Sequence, residues 1–260
     1  MRIRAANPGP MSLTGTNTYL IGEPAYVIDP GPQNAEHLEA VLSAGAERGG
    51  IAGIVLTHRH LDHAGGAEAL RKRSGAPLAA STDRDGGRQF EPEASALDIS
   101  VELSEGDTFG PLVVYETPGH AADHLSFLAG TVLFCGDTVL GEGSVIVPPF
   151  GGSMGTYLES LRKLQTLTLT AICPGHGPVV WDPSAKLAEY IEHRLDRERR
   201  LVTALEGGLR STDDLLDEVW DDVPRSLRLA AALTLEAHLD KLEREGRLPA
   251  GVERVSLPES

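Results

Sequence analysis

Cysteine, aromatics and positive charge are all scarce in this chain. Its two cysteines, Cys135 and Cys173, lie far apart and form no CxxC. A disulfide framework is therefore not expected, and a reducing, cytoplasmic setting suits the chain. Aromatic residues make up 5% of the sequence, which leaves few platforms on which bases could stack. Lys and Arg number 23 against 38 Asp and Glu, a formal charge of −15. That balance argues against a broad phosphate-binding surface and makes duplex DNA a poor partner. No apolar run is long enough to span a bilayer, so no membrane partner is expected. Residues 1–10 also lack the apolar core of a signal peptide. The remainder is 41% hydrophobic, sufficient for one large α/β core and a small appendage. Nothing in the sequence speaks to oligomeric state.

Against that plain background one stretch stands out: Thr57-His58-Arg59-His60-Leu61-Asp62-His63. It follows an apolar, β-branched run (Ile51, Ile54, Val55, Leu56) expected to be a buried strand, and precedes Ala64-Gly65-Gly66-Ala67, expected to start a helix. His58 and His60, two apart, project from one side of an extended segment. Asp62 and His63 fall where the chain turns. A solvated loop accounts for one or two histidines; three with an aspartate in so short a span suit zinc or its first-row neighbours.

Along the chain, residues 17–22 and 25–29 are predicted strands around a Gly-Glu-Pro turn, preceded by a Gly/Pro/Ser/Thr-rich loop. Residues 34–47 are predicted as an amphipathic helix, followed by the central strand, a helix over 65–74 and a strand near Leu78. Residues 81–97 show no period and are predicted loop. Strands are expected over 97–103, 107–109, 112–116, 125–128 and 132–135, then a helix over 156–167 and a strand at 171–173. This order suggests two sheets packed face to face with helices outside. Three further turns after predicted strands carry His or Asp beside glycine: Thr117-Pro118-Gly119-His120, Gly136-Asp137-Thr138 and Pro174-Gly175-His176-Gly177. Singly, each suits a structural histidine or a cap; the repeated placement at strand ends points to a ligand set.

The tail begins with a long amphipathic helix over 185–205, ended by Gly207-Gly208. Ser211 is expected to cap a short helix to about Trp220, and residues 225–245 form a third, followed by a short wing strand at Gly246-Arg247-Leu248. Three helices and a hairpin are winged-helix-like. Its acidic balance favours a lid packed on the catalytic domain over a duplex-DNA reader. The expected division is 1–183 for the catalytic domain and 184–260 for the tail.

The ordered set His58-x-His60-x-Asp62-His63, His120, Asp137, His176 resembles the signature of the metallo-β-lactamase superfamily, over residues 17–178. The resemblance implies a four-layer αββα sandwich with two Zn²⁺, manganese or iron being alternatives. It implies that His58, His60 and His120 hold one ion, that Asp62, His63 and His176 hold the other, and that Asp137 bridges them. Lactam-hydrolysing members generally carry cysteine where Asp137 stands, which weighs against antibiotic hydrolysis. Cys135, on the opposite side of its strand, and Cys173 are expected to be core. Two cations spaced by a carboxylate activate water at neutral pH and stabilise charge on a carbonyl or phosphoryl oxygen. Asp62 is a candidate to accept or orient a proton as well as ligate. His124 either donates a proton to a leaving group or buttresses His120.

With the tail included, the chain is similar to the lactamase-beta-like endoribonucleases. The matching stretches include Gly15-Thr16-Asn17-Thr18-Tyr19-Leu20, Gly136-Asp137-Thr138-Val139-Leu140-Gly141 and Tyr190-Ile191-Glu192-His193-Arg194. That likeness implies cleavage of single-stranded RNA, with Phe150, Tyr157 and Arg162 the weak candidates for contacting it, although Tyr157 and Leu158 also suit the buried face of their helix. The acidic composition favours instead a small acyl thioester or ester. A DNA-binding regulator is the third reading, opposed by a ligand set richer than a closed structural zinc site needs.

Overall fold

The computed structural model of this 260-residue chain describes residues 1–82 and 97–255. Six strands form one sheet in chain order: β1 (Arg2–Arg4), β2 (Asn17–Ile21), β3 (Ala25–Ile28), β4 (Ile51–Val55), β5 (Leu78–Ser81) and β6 (Val101–Leu103). The first two pairings are antiparallel and the remaining three parallel. A second sheet has the order β11-β10-β9-β8-β7. It is built from β7 (Thr108–Phe109), β8 (Leu112–Glu116), β9 (Leu125–Ala129), β10 (Val132–Gly136) and β11 (Ala171–Pro174), with β10 and β11 parallel.

The pleat explains how these strands make layers. Successive side chains point to opposite faces, so adjacent apolar residues serve different cores. Tyr19, Ile28, Val55, Phe134 and Cys173 meet between the sheets with Val114, Leu125 and Phe127. Their neighbours Leu20, Val27 and Ile54 face outward onto α1 (Ala35–Ala46) and α3 (Ala67–Ser74). On the far side Leu133, Cys135 and Ile172 face α4 (Met154–Gln165) and the start of α5 (Pro183–Glu206). The result is the expected four-layer αββα sandwich. Both cysteines are free and buried, on opposite faces of their sheet. Fully buried residues such as Leu20 and Ile54 would each cost about 2–5 kcal/mol on truncation to alanine.

Helix α5 belongs to two cores. Leu187 and Tyr190 pack on the catalytic sandwich, whereas Leu201 and Leu205 join α6 (Thr212–Val219) and α7 (Arg228–Arg244) around Leu215, Leu235 and Leu239. Ser211 caps α6 by accepting from the Asp214 N–H at 3.2 Å. Ala237 of α7 reaches the sandwich core, so the tail is docked on the sandwich.

Several local expectations need correction. The helix expected over 65–74 is α3, and a short helix, α2 (Leu61–Ala64), precedes it where only a turn was expected; the two are parted where the Gly66 N–H bonds to the Gly31 carbonyl at 2.8 Å. The strand expected over 97–103 is confined to β6, and β1 was not anticipated. Of the predicted 81–97 loop, Ser81 ends β5, and residues 83–96 lie outside the described residues. No wing strand forms at Gly246-Arg247-Leu248. Instead the chain folds back on α7, where Arg254 binds Glu236, Asp240 and Glu243, and the Val255 N–H bonds Glu236. Its backbone is thus satisfied by turn and loop carbonyls (the Glu253 N–H bonds to the Arg210 carbonyl at 2.8 Å) and by Glu236 rather than by a partner strand.

Candidate metal centre

Parallel pairing brings the strand ends to one edge, and the polar turns follow from there. His58 and His60 leave the end of β4; Asp62 and His63 lie in α2. His120 follows β8, Asp137 follows β10 and His176 follows β11. All seven converge. Their ligand atoms form three groups, each within 4.8 Å: His58, His60 and His120; His58, His63 and Asp137; Asp62, His63 and His176.

The approaches are close. His60 Nδ1 lies 2.9 Å from His58 Nε2 and 3.0 Å from His120 Nε2. His176 Nε2 lies 3.1 Å from Asp62 Oδ2 and 3.4 Å from Asp137 Oδ2. Asp137 Oδ1, 3.5 Å from His63 Nε2, is buried and accepts no hydrogen bond from a described residue. A buried carboxylate oxygen without a donor, among nitrogens that converge on common points, is the environment a cation satisfies. The donor set therefore fits a pair of first-row ions.

Electrostatics divide the cluster. Burial, reinforced by neighbouring imidazoles, holds His58 well below its usual range and His60 at about 3. Burial also lowers His120. On the other side burial opposes charge on His63 and His176, but Asp62 and Asp137 outweigh it and push His176 up to about 9. Burial likewise works against the Asp137 carboxylate, which His176 and His63 nevertheless keep well below the usual range. One half thus offers neutral nitrogens and the other a network of paired charges.

Glycine permits the crowding. A Cβ at Gly175 would stand 2.5 Å from His63 Cε1 and 2.6 Å from Asp137 Oδ1. One at Gly136, whose φ is +47°, would stand 2.5 Å from Thr57 Oγ1. Both backbones pass where only hydrogen fits.

One residue the sequence did not flag holds the centre together. Asp29 is buried, with a left-handed φ of 51°. It accepts from the Thr57 N–H at 2.7 Å and from Thr57 Oγ1 at 2.8 Å, and contacts His63 Nδ1 at 2.9 Å. The register pairing Ile28 with Val55 carries it there. Its only signal in the sequence is a carboxylate at a strand end before Pro30-Gly31. Thr16 adds a bond from Oγ1 to Asp62 Oδ2 at 3.2 Å.

His124 is buried with both ring nitrogens engaged. Nε2 accepts from the Asp137 N–H at 3.1 Å, and Nδ1 lies 3.0 Å from Thr117 Oγ1. Its ring stacks on His58 at 4.9 Å, interplanar angle 24°. Tyr157 and Leu158 are buried, Tyr157 donating to the Thr138 carbonyl at 2.7 Å. Arg162 is exposed and Phe150 is 38% exposed; neither lines the cavity at the centre.

That cavity, about 790 Å³, opens onto His60, Asp62, His120, Asp137 and His176. Its walls continue through Met11, Leu13, Val145 and Ile146 to Trp220, Leu227, Ala230 and Ala231 of the tail.

Residues 11–176 match the metallo-beta-lactamase superfamily, and residues 211–249 match the beta-lactamase associated winged helix domain. The chain belongs to the metallo-beta-lactamase superfamily. It is 37% identical over 258 residues to the beta-lactamase-like protein 2 homolog of Caenorhabditis elegans, covering 94% of this chain and 84% of that protein. An atrochrysone carboxyl ACP thioesterase of Aspergillus fumigatus is 35% identical over 214 residues, covering 79% of this chain and 64% of the thioesterase. Among solved structures, a metallo-beta-lactamase family protein from Thermus thermophilus superposes with a TM-score of 0.76 at 25% identity, covering 95% of this chain and 93% of that one. The fold and the His/Asp cluster define a hydrolase family with a site able to bind metal. No helix among the described residues is long and apolar enough to cross a membrane.

Proposed function

We propose that this chain is a dinuclear, zinc-dependent thioesterase acting on apolar acyl thioesters. One observation carries the reading: the cavity at the centre exposes mainly apolar surface, and the two arginines that line it among the described residues already hold protein partners, Arg194 leaving only a buried Nε unbonded. Arg194 donates to the Val145 carbonyl and packs over Tyr157, while Arg197 donates to the Val219 carbonyl and to Asp222 at 2.6 and 2.7 Å. Five carboxylates (Asp62, Asp137, Glu142, Glu189 and Asp222) share those walls. A phosphodiester backbone needs free lysine or arginine; an acyl group needs apolar surface. The thioesterase relative adds support.

In this reading His58, His60 and His120 would hold one ion and Asp62, His63 and His176 the second, with Asp137 within reach of both sets. Such ions supply a water-derived nucleophile at neutral pH and stabilise charge on the carbonyl oxygen. Asp62 is the most exposed of the ligating carboxylates, with Thr16 steadying one oxygen, so it is placed to hold a proton facing substrate. Asp29 fixes the ring of His63 and His124 fixes the backbone of Asp137, which gives His124 a positioning role.

The test is a side-by-side assay of metal-loaded protein on acyl N-acetylcysteamine thioesters and on short single-stranded RNA. Thioester turnover well above RNA cleavage is expected. Efficient RNA cleavage with inert thioesters would overturn the reading in favour of an endoribonuclease.

A further inference from the structure

The tail does more than cover the sandwich: it builds one end of the same cavity. Trp220, at the end of α6, and Leu227, Ala230 and Ala231, at and before the start of α7, all line it. Trp220 is 7% exposed and Ala231 6%, so this wall is anchored in the tail's own core rather than laid on the surface. Small residues on α7 leave room where a larger pair would fill it. The charged and phenolic side chains from α5 onward on this wall each hold a protein partner, Arg194 leaving only its Nε without one. Glu189 binds Lys186, Tyr190 donates to the Gly143 carbonyl at 2.9 Å, and Arg197 holds Asp222.

His193 is the exception. It lines the cavity half-buried and makes no hydrogen bond or ion pair with any described residue. Burial, with Arg194 and Arg197 nearby, lowers it to about 4, so at neutral pH it presents one N–H donor and one acceptor nitrogen. Half-buried and without a protein partner, its ring can exchange water for a ligand oxygen bound in the cavity.

We propose that the C-terminal domain forms an acyl-binding subsite for an apolar chain bearing one oxygen function. The chain packs on Trp220, Leu227, Ala230 and Ala231, and its hydroxyl or keto oxygen meets His193. This rests on the thioesterase reading, deepening it from bond type to substrate class. No covalent step is assigned to these residues; His193 and the apolar wall position and select.

Two experiments test it. In the first, Trp181→Phe leaves Trp220 as the sole tryptophan, since the chain has two. Decanoate should then change its fluorescence saturably in the metal-loaded protein, while acetate, which carries the same carboxylate, should not. In the second, Ala230→Trp should raise KM for a decanoyl thioester at least tenfold more than KM for an acetyl thioester. Ala230→Leu, a smaller insertion, should give a partial effect with an unaltered melting temperature. His193→Ala should erase a preference for 3-hydroxydecanoyl over decanoyl thioester, about tenfold for one hydrogen bond, with metal content unchanged. Fluorescence blind to decanoate, or equal effects of Ala230→Trp on both chain lengths, overturns the subsite. An intact decanoate response in a protein that cleaves no thioester upholds the subsite and sinks the activity instead.

Discussion

At the scale of single residues, Asp137 and Asp29 do different work at similar depth. Asp137 presents one oxygen to His176 and leaves the other without a donor, between two sets of imidazoles. Asp137→Ala should drop metal content below two ions per chain and abolish hydrolysis, with far-UV circular dichroism unchanged. Near-normal turnover in that variant would remove Asp137 from the centre. Asp29 never faces the cavity; it grips Thr57 and His63 from behind. Asp29→Asn should therefore reduce metal affinity or activity about 10–100-fold rather than abolish it. Competition with a chromophoric chelator measures that loss directly. The convergent side chains were legible because four of them crowd into one short stretch and the others sit beside glycine in turns. Asp29 was not, since its role exists only once β3 and β4 pair in register, 28 positions from Thr57 along the chain.

At the scale of elements, α5 couples the two parts of the molecule, and a charged cluster secures its second half. Glu198 on α5 is buried against His238, Lys241 and Arg247, with Lys241 Nζ 2.8 Å from Oε2. His238 first, then Lys241 and Arg247, overcome the effect of burial and hold its carboxyl at about 2. A depressed carboxyl stabilises the folded state fully above the unfolded value of about 4.3, and that contribution disappears as pH falls toward 2. Acid titration followed by near-ultraviolet circular dichroism should show the signal of Trp220 collapsing across that window, with a shallower fall in Glu198→Gln. An identical acid profile in both proteins would assign the transition elsewhere. The periodicity of α5, α6 and α7 was readable because amphipathic spacing is local. The absent wing was not readable. Gly246-Arg247-Leu248 resembles a strand start, yet Arg254 and Glu253 tie the following chain to α7 and to the start of α6.

At the scale of the whole molecule, two halves of the sandwich meet along the edge that carries the ligands, so ion binding and folding are linked. Stripping the ions with a chelator should leave secondary structure in place but lower the melting temperature. Saturating metal at a thousandfold above Kd contributes about 4 kcal/mol through mass action alone. Calorimetry of stripped and reloaded protein measures the shift; equal melting temperatures would mean the ions are not held by the folded centre. The net charge of −15 acts at this scale too, disfavouring a polyanionic partner before any contact is made.

The sequence by itself determined the alternation that makes two sheets, the helices that cover them, and the identity of the seven convergent side chains. Each of these rests on neighbours a few positions apart, where residue spacing dictates direction. Only the tertiary structure decided what surrounds that cluster: Asp29 behind His63, Arg194 and Arg197 each bonded to a backbone carbonyl, and the tail supplying an apolar far wall. Those features depend on which distant surfaces meet. Two segments nearly a hundred residues apart can share a cavity without either carrying a mark of the other.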